Sequence, residues 1–151
     1  MGKNTIAALA LAGLLVSACD DQSSKPYLKI AGGGFMFNYR YSVMNYGFVV
    51  KPLRPLPDGS ILEASFDIPD SPKRFVLTLP AVAGKMQYAF ETEALHDVKK
   101  DVPYKATLRL LEAGTGKELA VMEKDFRSDV EQSTLPTKAP VAGIGYFPAP
   151  Q

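Results

Sequence analysis

The chain has 151 residues, with 17 Lys and Arg against 16 Asp and Glu, one His, one Cys and no Trp. That length holds one domain with a sizeable core, and 46% hydrophobic with 22% charged residues is a globular composition rather than a disordered one. A formal charge of +1 lacks the basic excess of a nucleic-acid protein, one Cys excludes an intrachain disulfide framework, and one His excludes His-pair zinc chemistry.

Residues 1–19 read MGKNTIAALALAGLLVSAC. Lys3, the apolar run over residues 6–16 and the small pair Ser17 and Ala18 have the n-region, h-region and cleavage site of a secretory signal. The run is too short for a membrane-spanning helix, which needs about 20 apolar residues. Val16-Ser17-Ala18-Cys19 resembles the lipobox of bacterial lipoproteins, an aliphatic residue and two small ones before an invariant Cys. The resemblance implies removal of residues 1–18, a diacylglyceryl thioether on Cys19 and fatty acylation, with palmitate as the usual label, of its new amino group. Val16-Ser17-Ala18 also fits an ordinary signal-peptidase site, beside which Cys19 would be a spare thiol.

A lipid with two or three chains holds firmly, at about 0.8 kcal/mol per buried CH₂. Loss of Lys3 leaves the mature chain neutral, so the sequence predicts no polybasic support and leaves membrane attachment to the lipid. Asp20, directly after Cys19, resembles the enteric signal for retention on the periplasmic side of the inner membrane; the alternative is the outer membrane, with Asp20 and Asp21 merely opening a solvated tether. Residues 20–26 (DDQSSKP) are that tether, which spans at most about 25 Å.

From Tyr27 onward, period-two alternation predicts strands. Phe35, Phe37, Tyr39 and Tyr41 alternate with Met36, Asn38 and Arg40, behind a Gly32-Gly33-Gly34 cluster read as a flexible lead-in. Tyr46, Phe48 and Val50 follow, then Leu62, Ala64, Phe66 and Ile68, then Phe75, Leu77 and Leu79, then Met86, Tyr88 and Phe90. Tyr104, Ala106, Leu108 and Leu110 alternate with Lys105, Thr107 and Arg109. The last run, 118–126, has apolar residues on both faces, the mark of a bulge. Pro57-Asp58-Gly59, Pro69-Asp70-Ser71-Pro72, Ala83-Gly84 and Ala113-Gly114-Thr115-Gly116 supply turns between runs. The expected fold is all-β, a seven-stranded antiparallel immunoglobulin-like sandwich after a cleaved signal peptide.

Leu95, Val98 and Tyr104, placed just before an alternating run, resemble the turn before strand F of fibronectin type III and related immunoglobulin-like domains. There a buried tyrosine hydroxyl bonds backward to the E–F turn, the tyrosine corner. On that resemblance residues 85–92 are strand E, 104–111 strand F and 118–126 strand G. The core Trp common in such domains is missing, and Pro103 precedes the Tyr. The sandwich thus occupies residues 27–127. Residues 128–151, with Pro136, Pro140, Pro148 and Pro150, read as an extended or disordered tail in which Ile144, Tyr146 and Phe147 are able to dock.

Chemistry-bearing patterns are sparse. His96 falls in the E–F turn with no G-x-S-x-G elbow to supply a nucleophile, and the acids alternate on outward strand positions. The glycine cluster matches neither phosphate-loop pattern, and the Asp67/Asp70 and Asp97/Asp101 pairs lack a full set of calcium ligands. No catalytic, cofactor or metal residues are therefore assigned. Six aromatics in the fourteen residues 35–48 exceed one inward face, which makes Tyr39, Tyr41 and Tyr46 candidate interface residues; filling a Trp-free core is their other use. The expected function is a membrane-anchored, non-catalytic binding or accessory module with an envelope protein partner and no nucleic acid, the alternative being a carrier of a small apolar ligand in a cavity between the sheets.

Overall fold

A computed structural model describes residues 24–142 and 147–148; the signal segment and Cys19 lie outside them. Seven strands form two antiparallel sheets: β1 (Leu28–Asn38), β2 (Val43–Pro52), β3 (Ile61–Asp67), β4 (Arg74–Pro80), β5 (Tyr88–Glu91), β6 (Tyr104–Leu111) and β7 (Glu118–Phe126). One sheet has the order β1-β2-β5 and the other β4-β3-β6-β7, packed as a β-sandwich. In the seven-stranded constant immunoglobulin order the fourth strand lies beside the fifth. Here β4 stays with β3, along seven paired residues from Ile61↔Pro80 to Asp67↔Arg74. A short pair, Val141–Ala142 with Phe147–Pro148, follows as β8 and β9.

The period-two pattern is legible in burial. Leu62, Ala64 and Phe66 on β3 meet Ala106, Leu108 and Leu110 on β6, and all six are buried. Tyr46, Phe48 and Val50 close over them from β2. Aromatic rings take the place of the missing Trp. Tyr46 stacks on Phe35 at 4.7 Å between centroids and stands edge-on to Phe66 at 5.3 Å, while Phe48 and Phe126 stack at 6.1 Å. Offset and edge-on ring pairs at these separations add about 0.5–1.5 kcal/mol each beyond area burial.

Three expectations need correction. The glycines 32–34 are no lead-in: they lie inside β1, paired with Val49, Phe48 and Gly47. A Cβ on Gly33 would fall 2.3 Å from the Gly47 carbonyl oxygen, so that position requires glycine by close backbone approach. Strand β5 starts at Tyr88 rather than at 85, and Met86 is 81% exposed. Its register pairs Tyr88 with Val50, so the position opposite Met86 is Pro52, which has no N–H to continue the ladder. The Lys85 N–H instead closes a turn onto the Val82 carbonyl at 3.1 Å.

The segment after β7 is not an extended tail throughout. Residues 128–135 pack back on the β5–β6 connection: Ser128 is buried, a 3₁₀ turn covers Gln132–Thr134, and Leu135 packs against the core. Gln132 is the reason. Its side-chain oxygen accepts the Val98 N–H at 3.0 Å, its amide NH₂ donates to the Leu95 carbonyl at 2.8 Å, and its own N–H donates to the Val98 carbonyl at 3.0 Å. One side chain thereby satisfies backbone groups that a strand would otherwise have to meet. In β7 the register against β6 shifts between Leu110 and Leu111, leaving Leu119 without a partner, which accounts for the mixed faces of that run.

Strand ends define two poles. Leu28, where the chain enters β1, sits beside Pro52, and this pole carries the connections 53–60, 81–87 and 112–117. The opposite pole carries the β1–β2 turn at 39–42, the connections 68–73 and 92–103, and the segment after β7.

Candidate functional site

The aromatic-rich first hairpin reaches the pole opposite Leu28. Its turn is closed by the Tyr41 N–H on the Asn38 carbonyl at 3.2 Å and by the Arg40 N–H on the Asn38 side-chain oxygen at 3.0 Å. Ser42 holds φ at +50°, which sends the chain back into β2. Tyr39 is 53% exposed and Tyr41 67%, and Phe37 supports Tyr39 edge-on at 4.8 Å. Tyr46 is not part of this surface. It is 0% exposed, paired with Phe35 inside the sandwich. Its hydroxyl donates to the Asp67 carbonyl at 2.8 Å, and burial, with the Asp67 charge second, pushes the phenol well above its ordinary value. The alternation that singled out the three tyrosines changes phase at the hairpin turn, which puts Tyr46 on the inner face.

Beside the hairpin lies a depression of about 310 Å³ lined by Phe37, Ser42, His96, Lys99 and Glu131 among others. His96 is exposed at its rim, in the β5–β6 connection. Glu131 pairs with Lys99 at 3.6 Å and accepts the Lys100 N–H at 2.9 Å, so the C-terminal segment forms one wall. Asp97 and Asp101 sit at φ +61° and +60°, a left-handed conformation that Asp tolerates and that folds the connection tightly. Under it, Leu95, Val98 and Tyr104 are all buried, and the Tyr104 hydroxyl accepts the Lys99 N–H at 2.9 Å. These three position the wall rather than touch the surface. Gln132 and Glu131, which complete it, carried no signal in the sequence, because a proline-rich tail gives no periodicity to place a side chain on a face.

The outer face of the four-stranded sheet is closed on itself. Arg109 bridges Glu63 and Glu118 at 2.9 Å each, Arg74 meets Asp67 at 3.0 Å, and Lys105 meets Glu123 at 3.0 Å. Hydrogen bonds to Glu118 and Glu63 hold the Arg109 guanidinium above its ordinary value. The second Asp67 oxygen accepts the Lys105 N–H at 3.0 Å, so this acid is committed to strands β3, β4 and β6. Among the described residues no three His, Cys, Asp or Glu gather into a metal-binding group. What the hairpin pole offers chemically is two exposed phenols, a mixed-charge rim and a rigid base, the makings of a contact surface.

No protein-family model matches the chain, and neither a curated protein nor a solved structure matches it.

Proposed function

We propose that the chain is a bacterial envelope lipoprotein, processed at Cys19 and held by lipid on the periplasmic side of the inner membrane, whose sandwich serves as a non-catalytic binding module. One observation carries the reading: the strand that follows the tether begins at one pole, and the exposed Tyr39 and Tyr41 lie at the other, so anchor and contact face do not compete. The lipobox-like Val16-Ser17-Ala18-Cys19 supports the anchor, and Asp20 supports inner-membrane retention. The backward hydrogen bond of Tyr104 over Leu95 and Val98 supports the resemblance to fibronectin type III domains, a class of display scaffolds. Packed rings between the sheets, with Phe48 5.3 Å from Phe66 and 5.6 Å from Phe90, support a module rather than a carrier. No helix among the described residues is long and apolar enough to cross a membrane, so attachment rests on Cys19 in this reading.

Palmitate labelling and membrane fractionation of wild type and Cys19→Ala test the anchor, and photocrosslinking from position 41 in the same membranes tests the face. The expected result is label lost in the variant and a crosslinked envelope protein that disappears when Tyr39 is also replaced by Ala. Unlabelled wild type that fractionates like the variant makes this a freely secreted domain. Crosslinks unchanged by the tyrosine replacements move the contact face elsewhere.

A further inference from the structure

We infer that the pole where the chain enters the sandwich is itself a lipid-facing surface, lying against anionic headgroups beside the anchor rather than hanging free from it. The inference rests on the lipoprotein reading above. Its observation is a depression of about 370 Å³ at that pole, lined by Pro52, Leu53, Pro55, Val82, Met86 and Tyr88 among others. Leu53, Val82 and Met86 are exposed, Met86 more than any other large apolar side chain among the described residues. Proline is well suited here, since a Pro-rich loop presents few N–H groups for a lipid interface to leave unmet.

Charge is sorted in the same direction. The mature composition is neutral, which predicts no attraction to anionic lipid, but the fold separates what composition averages. Among the described residues of the sandwich, Lys29, Lys51, Arg54, Lys85 and Lys117 gather at this pole, Lys29 directly opposite Lys51 in the ladder, against Asp58, Glu112 and Glu118, while the tether before them carries Lys25 with Asp20 and Asp21. Glu118 is already paired with Arg109. The hairpin pole, its strand ends counted alike, instead collects nine acids (Asp67, Asp70, Glu91, Glu93, Asp97, Asp101, Asp125, Asp129 and Glu131) against seven basic residues (Arg40, Lys73, Arg74, Lys99, Lys100, Lys105 and Arg127). Arg54 lies over the Tyr27 ring at 3.5 Å and Lys85 over the Tyr88 ring at 4.8 Å. Cationic groups carried on aromatic and aliphatic bodies are suited to a headgroup layer, where the stem sits in apolar surroundings and the charge reaches phosphate.

The tether makes weak contacts sufficient. Ser24 is five residues from Cys19, a reach of at most about 17 Å, so the pole is confined to the lipid surface at a high effective concentration. Each basic side chain near an anionic surface raises occupancy about fivefold at moderate salt.

The test uses the full lipidated chain in vesicles of phosphatidylethanolamine and phosphatidylglycerol. Cys19 is the chain's only cysteine and its sulfur is blocked by lipid, so Met86→Cys or Lys73→Cys takes a single fluorophore. A quencher on the lipid headgroups should dim the label at 86 at least about fivefold more than the label at 73 at the opposite pole, the gap narrowing with added salt. Leu53→Glu with Val82→Glu, both at exposed positions, should abolish the gap while the protein still floats with the vesicles and keeps its circular dichroism. Equal quenching at 86 and 73 in floating protein overturns the inference and leaves the anchor standing. A label at 86 shielded from both the lipid quencher and aqueous iodide also overturns it, in favour of a protein partner at this pole. Protein that carries no lipid and stays in the aqueous phase removes the anchor and this inference together.

Discussion

The two ends of the sandwich are built from the same strands but stabilised by different means. At the hairpin pole, side chains reach across elements to backbone groups: Tyr46 to Asp67, Tyr104 to Lys99, Gln132 to Leu95 and Val98. At the tether pole, the loops 53–60 and 81–87 are shaped by proline and tight turns and tied by backbone bonds, the Leu53 N–H to the Tyr27 carbonyl and the Ala81 N–H to the Ser60 carbonyl at 2.9 Å each, while the Tyr88 hydroxyl accepts the Val82 N–H at 2.8 Å. The first end is held by side-chain hydrogen bonds to backbone groups; the second is held by backbone bonds and turns beneath exposed apolar and basic side chains. On the proposed reading the first end would carry the contact face and the second would lie toward the headgroups.

Removing one of the largest fully buried side chains tests the hairpin pole most severely. Tyr46→Ala deletes a ring packed against Phe35, Phe66, Tyr104 and Phe126 and leaves the Asp67 carbonyl to find another donor. A loss of about 3–5 kcal/mol in urea-unfolding free energy is expected. A loss below about 1 kcal/mol would mean that the hairpin pole is less tightly determined than its bonds imply.

A matched pair of smaller changes compares the poles directly. Tyr104→Phe leaves the Lys99 N–H without its acceptor in a connection already tied down by Gln132, and should cost about 1–2 kcal/mol. Tyr88→Phe removes the equivalent bond to Val82, which stands 53% exposed in an open loop where water substitutes. Its cost should stay under about 1 kcal/mol, with faster amide exchange confined to the 81–87 connection. Equal costs for the two would remove the distinction between a fixed and a yielding end.

Period two, turn residues and the aromatic count made the strands legible, because each of those signals is local. Residues 104–111 and 118–126 coincide with β6 and β7, and the sandwich class follows from them. What escaped the sequence depends on partners distant along the chain. The start of β5 is decided by Pro52 across the ladder, the need for Gly33 by the Gly47 carbonyl, and the docking of residues 128–135 by where Gln132 finds Leu95 and Val98. The candidate surface was half legible for the same reason. An excess of aromatics singled out Tyr39 and Tyr41, whose exposure comes from the turn at 39–42 where the alternating run predicted strand, while the inward face of Tyr46 depends on how the chain leaves Ser42 at positive φ. The sorting of charge between poles was invisible, since composition reports only its sum.

The smallest expected effect is a pH dependence on the outer face of the β4-β3-β6-β7 sheet. Its hydrogen bond to Lys105 holds Glu123 below the ordinary glutamate value of 4.5, and the same bond holds Lys105 above its own. A carboxylate whose folded value is lowered stabilises the native state at pH above its unfolded value, and that contribution fades as pH falls through the lowered folded value. Glu123→Gln should therefore lower the urea midpoint slightly at neutral pH and match wild type in acid, once the pH has fallen below the lowered folded value. Both groups are exposed, so the difference should shrink with added salt as well. A gap between variant and wild type that persists unchanged into acid would assign the effect to packing of the side chain against its neighbours on β6, and the ion pair would then contribute nothing to holding this face together.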